Sequence, residues 1–467
     1  MRCLGIVFLI TCFSFAQNKQ LLYGFSEIPQ ALLLNPGGEI KNAGFFGVPL
    51  LSHIHANAGT SGITLYDLFA DNGVDFNLKL RNAVYNSKPR NFATINEQVE
   101  ILSGGFAFGN LFEKNEYLSF GLYQELDAIG YFPKDYAVLG LEGNQNNINK
   151  VFDASHLKAS AEVISVFHVG YNKKVSDQLT YGIRGKVYSS IVNVNTINNK
   201  GSFVTVLGDN NIYKHIFNLD LELKSSGLSS IRNSNKDAAF QEVKKRMLMG
   251  GDLGLGIDMG FTYQINKQWY VDASLLDVGF INHTKDVENY SVKGTYEFEG
   301  IDPFFTEFET GQSADEYWSK IEDEFNDIFV ADTTYNKFTT WRPVKFNASL
   351  NYSFGEKKEK ECNCIKGEKE FQNAVGAQLY AINRPRQPQV ALTLYYFRRL
   401  FKGLSAKTTY TMDSFSLYNI GLGLSANLGN VNFYLMADNF LQYKNIYNAQ
   451  SVSLQLGFNY IFKKNED

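Results

Sequence analysis

Arg184, Lys186 and Lys345 recur with Asp258 on segments in which apolar and polar residues alternate. Alternation places every second side chain on one surface, so these four are read as facing one polar interior. That interior carries both signs rather than a single selective ring, which argues against a strongly charge-selective pore. His53 and His55 stand two apart on a predicted strand and share a face, a spacing compatible with metal or proton chemistry. No third ligand accompanies them, and a structural role is expected. His168 would need a nucleophile and an orienting group within hydrogen-bonding distance to act as a base, and no local signature assigns that trio. Gly254-Leu255-Gly256 and Gly421-Leu422-Gly423 continue in period two, without the helix that a phosphate cradle needs. Cys362 and Cys364 lie in a Lys- and Glu-rich stretch, residues 356–370, with no second pair at zinc-site spacing. The expectation is a non-enzymatic chain with no catalytic residue, no metal and no cofactor.

The elements that position these residues are strands. Between Leu417 and Leu428 one face reads Tyr418, Ile420, Leu422, Leu424, Ala426, Leu428, against Asn419, Gly421, Gly423, Ser425 and Asn427. The same division recurs over residues 253–263, 344–354 and 451–462. Runs of this length match a tilted strand crossing a hydrocarbon core of about 30 Å. Weaker candidates fall at 43–59, 97–109, 116–130, 160–172, 179–193, 202–222, 267–282, 373–383, 388–399, 402–413 and 430–440. With the four clear segments they make fifteen. A closed antiparallel ring of this type has an even number, so 14 is the expected count, within a range of 14–16. Soluble sandwich strands average about five or six residues and are shorter than these.

Composition and targeting signals agree. Lys and Arg total 44 against 48 Asp and Glu, a net charge of −4, which removes the basic footprint of a nucleic-acid binder. Aromatic residues are 15% of the chain and cluster toward strand ends, where interfacial girdles lie. Residues 1–16 read as a cleaved signal peptide, with Arg2, an apolar run from Leu4 and Ser14-Phe15-Ala16 ahead of Gln17. Cys3 and Cys12 fall inside it, and a disulfide framework is excluded. No later segment reaches about eighteen apolar residues, so no spanning helix is expected. An exported chain of this kind is secreted or spans as a closed barrel.

The expected fold is therefore all-β: a transmembrane antiparallel β-barrel in the Gram-negative outer membrane. Residues 17–42 form a plug-like segment before it, 43–462 form the barrel, and 463–467 form a tail. Residues 223–248 are expected to be polar and partly helical through 241–247. The insert 285–332 holds fourteen acids against three lysines. Within it Trp318, Ile321, Phe325 and Ile328 recur at helical spacing.

The Leu32-Leu33-Leu34-Asn35-Pro36-Gly37 start, the segment Phe45-Phe46-Gly47-Val48-Pro49 and the C-terminal third from Ala374 to Phe462 resemble an outer-membrane barrel family of the Bacteroidota without an assigned function. More distantly, Leu33-Leu34-Asn35-Pro36 is similar to the start of long-chain fatty-acid transporters and of outer-membrane barrels of type IX secretion and gliding. Both groups usually continue with Ala, where this chain has Gly37. The likeness to the fatty-acid transporters implies passage of a hydrophobic small molecule, with Leu33, Leu34, Asn35, Pro36 and Gly37 as ligand or plug residues. The likeness to the secretion and gliding barrels implies an assembly or docking component that holds secretion or motility subunits through its acidic loops or the 356–370 turn. An outer-membrane hydrolase is the weakest alternative. Lipid is the partner common to all three.

Overall fold

The computed structural model describes residues 19–109, 115–208, 213–298, 331–356 and 371–463. The signal segment, the helical pattern around Trp318, Cys362 and Cys364, and all but the first residue of the tail lie outside the described residues.

Period-two sequence becomes wall. β1 (Gly44–Gly47) and β2 (Ile54–Thr60) occupy one position and both pair with β3 (Phe92–Phe108). β4 (Glu116–Tyr131) follows, while β5 (Val151–Asp153) lies off the wall on β7. β6 (Ala159–Lys174) and β7 (Leu179–Leu207) return to the wall, and β8 (Tyr213–Ser226) leaves it. Then come β9 (Asp252–Gln264) and β10 (Trp269–His283) in the wall, and β11 (Asn289–Phe298) and β12 (Asp332–Thr334) outside it. β13 (Phe338–Trp341) and β14 (Lys345–Glu356) pair in succession with β10. The wall finishes with β15 (Phe371–Ile382), β16 (Gln389–Phe401), β17 (Leu404–Met412), β18 (Asn419–Leu428), β19 (Val431–Asp438) and β20 (Ser451–Phe462). β20 pairs with β1 and β2, closing an antiparallel ring of fourteen positions.

The fifteenth candidate, 202–222, is not a wall strand. β7 pairs with β9 through Ser190, then changes partner and pairs with β8 from Asn193 onward. Alternation reports a sheet, not which sheet. Part of the insert read as irregular is likewise strand, since β11 pairs with β8. Candidate 43–59 is broken by a turn at 48–53, where Leu50 takes a left-handed φ of 64°. In the 223–248 region, helices form at Leu228–Arg232 and Lys236–Lys245, and the second overlaps the expected 241–247 over 241–245.

Burial is inverted relative to a water-soluble sheet. On β18, Leu422, Leu424 and Leu428 are exposed while Asn419, Gly421, Gly423 and Ser425 are buried. Long strands with an apolar exterior and closed edges fit hydrocarbon, where every backbone group must be paired internally. Among the described residues no helix is long and apolar enough to span a membrane. Tyr460 packs on Phe462 and Trp269 on Tyr352 near the short-turn end of the wall, as interfacial aromatics do.

Residues 19–42 lie inside the ring. Leu21, Leu22, Phe25 and Ile28 are fully buried against Tyr434 and Met436, and Pro29–Leu33 forms a tight helical turn. At the long-loop end, the helices Phe76–Asn86 and Lys134–Glu142 pack through Val84 and Val138 onto Phe152 and Phe203 of the off-wall sheet.

Candidate functional site

Irregular backbone inside the ring must find donors from the wall. Lys407 donates to the Tyr23 carbonyl at 2.6 Å. Arg184 donates to Leu32 O at 2.5 Å and to Leu33 O at 3.2 Å, and Ser274 donates to Leu34 O at 2.6 Å. Asn172 donates to Pro36 O at 2.8 Å and to Gly38 O at 3.0 Å, and Thr262 donates to Gly37 O at 2.9 Å. Asn35 folds the turn and ties it down. Its Oδ1 accepts from Gly37 N at 2.9 Å, while its Nδ2 donates to Phe261 O at 3.3 Å.

Behind this cradle runs a ladder of buried charge. Arg184 and Lys186 meet Asp258 at 3.2 and 2.8 Å, and Lys186 meets Asp277 at 2.6 Å. Lys345 meets Asp277 at 2.8 Å and Glu125 at 3.1 Å. Arg342 meets Glu125 at 3.2 Å and also pairs with Glu162. The four cations equal the four carboxylates, so the ladder is neutral. Burying such charges is costly unless each is paired, and each carboxylate here has a cation. A cavity of about 30 Å³, room for one water, lies where Lys19, Leu33 and Leu34 meet Glu125, Asp277 and Lys345.

All four lumen residues singled out in the sequence belong to this one ladder. Asp277, Glu125, Arg342 and Glu162 were not singled out. Glu125 was open to the same reasoning, because it shares its face with Ser119, Gly121 and Tyr123. Asp277 was not: the β9–β10 register slips between Leu275 and Val278, and Asp277 has a left-handed φ of 59°, which reverses parity and turns it inward.

On the lipid side of the same wall sector lies an apolar groove of about 460 Å³, rimmed by Tyr181, Ile183, Met259, Phe261 and Phe346. Its floor includes Gly182 and Gly260, which are paired across β7 and β9. Immediately behind them sit Asn35 and Pro36. A methyl added at Gly182 would overlap the Pro36 carbonyl, and one at Gly260 would overlap Asn35 Oδ1.

The histidines sit apart from this sector's groove. His53 and His55 stack with ring centroids 6.5 Å apart, and His53 Nδ1 lies 2.7 Å from the Tyr434 hydroxyl. His168 packs against Tyr123, with neither ring nitrogen hydrogen-bonded to a described residue. A Ser–His contact does occur elsewhere: Ser226 Oγ lies 3.0 Å from His283 Nδ1. Ser226 donates to Asp252, which Arg246 neutralises at 3.1 Å and the N–H groups of Thr284 and Lys285 also bind. Serine and histidine are both completely buried, so this set staples strand ends and offers a substrate no access.

A closed fourteen-position ring, apolar outside and polar inside, defines a transmembrane β-barrel. The chain belongs to the family of unknown function DUF5723, whose model matches residues 36–438. No curated protein matches it. Among solved structures it is similar to the toluene transporter TbuX of Ralstonia pickettii, with 9% identity over 93% of this chain and 94% of that one and a TM-score of 0.42. It is similar to the toluene transporter TodX of P. putida, with 9% identity over 97% of each chain and a TM-score of 0.38. A Pseudomonas aeruginosa FadL homologue gives 7% identity over 97% of this chain and all of that one, with a TM-score of 0.41.

Proposed function

We propose that this barrel is a non-enzymatic outer-membrane channel that passes a hydrophobic small molecule, with residues 19–42 as its plug. The observation that carries this reading is the apolar groove backed by Asn35-Pro36-Gly37. The lumen is lined by paired charges and amides, a poor path for an apolar solute. Between groove and lumen, at its floor, stand the paired glycine backbones at 182 and 260 and the Asn35–Gly37 turn behind them. Movement of that turn, with local parting of the β7–β9 pairing at the two glycines, would let an apolar molecule leave the lumen sideways into lipid. Leu33 and Leu34 would meet it on the lumen side.

The test is uptake of a fluorescent hydrophobic probe by cells producing the parent or Met259→Trp, which fills the groove from the lipid side. Uptake with Met259→Trp is expected to fall to that of cells lacking the barrel. Equal uptake by the two would end the proposal.

A docking role is favoured by a different observation. Leu65, Tyr66, Phe69 and Phe76 on the long-loop cap are exposed, as are Ile446 and Tyr447 on a neighbouring loop. Exposed apolar clusters of this kind mark contact surfaces. Secretion or motility subunits copurifying with the parent, and lost on Phe69→Ser with Tyr447→Ser, would support it.

A further inference from the structure

Residues 383–388, Asn-Arg-Pro-Arg-Gln-Pro, join β15 to β16 at the long-loop end. They do not rise away from the wall. Arg384 reaches Asp127 of β4 with Nη1 at 2.9 and 2.7 Å from its two carboxylate oxygens, and Nη2 contacts Asn96 Oδ1 at 3.4 Å. Arg386 Nη1 donates to Pro89 O at 2.6 Å, its backbone N–H donates to the Tyr131 hydroxyl at 3.3 Å, and its guanidinium lies over the Tyr131 ring. β15 is six ring positions from β4 in a ring of fourteen, so Arg384 and Arg386 reach across the mouth to a strand nearly opposite. Pro385 and Pro388 each fix a backbone dihedral and limit the alternatives open to it.

The neighbouring turn, 413–418, leans the same way. Phe415 is buried among Phe92, Ile129 and Tyr131 at the tops of β3 and β4, its ring 5.3 Å from Phe92. Gly59 leaves the space it occupies, because a methyl there would overlap the Phe415 ring. Two loops thus close onto the same pair of strands across the mouth.

We propose that residues 383–388 form a strap that shuts the outer mouth, fastened by the Arg384–Asp127 pair and seconded by Phe415, making an outer gate separate from the plug. The pair is almost fully buried, at 7% and 6% side-chain exposure, so it is shielded from the salt screening that weakens surface pairs. Unfastening it exposes both partners to water at the mouth rather than stranding them in apolar surroundings, and the backbone bond that ties the loop to the wall, Asn383 N–H to Val344 O at 3.0 Å, sits at its strand end, where it can stay made while the rest moves. The strap is therefore an element that can swing while the ring stays closed. This inference is independent of the proposed solute, and its test reads access rather than passage.

Thr393 supplies the reporter. It is fully buried, faces inward and lies 2.9 Å from Thr411, nearer the mouth than the level where Phe397 and Lys407 meet the plug. Thr393→Cys, in a chain with Cys362→Ser and Cys364→Ser, would be labelled on intact cells with a membrane-impermeant maleimide. Slow labelling is expected in that parent. Replacing residues 384–387 with Gly and Ser should make it several-fold faster, as should Asp127→Asn with Arg384→Gln, while Asp127→Arg with Arg384→Asp should return it toward the parent. Heat-modified gel migration would report whether each barrel is folded, and the strap replacement serves if the buried-pair variants do not fold. Equally slow labelling of folded parent and strapless barrels would overturn the proposal, and so would equally fast labelling of both.

Discussion

Arg184 joins the two halves of the candidate site, since one guanidinium holds both Asp258 and the carbonyl oxygens of Leu32 and Leu33. A lysine could keep the charge but not the fork. Arg184→Met is expected to lower barrel stability by about 3–5 kcal/mol, the range for removing one partner of a buried pair, moderated by Lys186, which remains on Asp258. Urea unfolding in lipid vesicles would measure it. Asp413 is a second residue with a defined consequence. Burial pushes its carboxyl up to about 6, against the N–H groups of Ser416 and Phe415 and the Asn419 amide, which pull it down. The folded turn therefore binds the proton more tightly than the unfolded chain. Its stabilising contribution is full below about pH 4, declines as pH rises and is gone above about pH 6. Proteolysis of the 413–418 turn should accelerate over that window, and Asp413→Asn should abolish the dependence. Of the ladder, Arg184, Lys186, Asp258 and Lys345 were legible because period two holds through their strands. Asp277 was hidden by a bulge, and Arg342 by its place between β13 and β14.

At the scale of elements, the faces of the strands were legible and their membership of the wall was less so. β18 and β20 divide as their alternation requires, because apolar side chains on one face and Gly, Ser and Asn on the other admit one orientation in lipid. Leu422→Arg is expected to cost about 2–4 kcal/mol at mid-membrane, measurable as a lowered unfolding midpoint. The strand β8 alternates as well, yet belongs to a sheet outside the wall, since period two carries no information on what a face meets. Small residues had a further meaning that spacing did not reveal. Gly182 and Gly260 leave space for a passing turn of chain. Gly182→Ala should displace Asn35–Gly37 while leaving the ring paired, and conductance of the barrel in planar bilayers is expected to rise.

For the whole molecule, the inside-out distribution of apolar surface fixes its solvent. Leu394, Leu435, Leu454 and Phe458 are among many large apolar residues exposed on the wall, more than a water-soluble monomer tolerates. The protein is expected to remain in the membrane pellet until detergent is added, and to migrate faster on a gel unheated than boiled. Recovery as a monomer from a detergent-free extract would contradict the fold. The architecture was legible because lipid imposes a single repeated rule on every strand. The strap was not, because Arg384 and Asp127 are 257 residues apart and meet only through ring closure.

That closure also bears on how the inner segment is held. The seam that closes the ring joins β20 to β1 and β2, and residues 19–42 lie within the circle it completes. The hydrogen bonds of Asn172, Thr262 and Ser274 to this segment come from strands far from the seam. The segment is therefore gripped by the wall away from the join, like a cork held by the staves opposite the seam, and it ties the middle of the chain to its beginning.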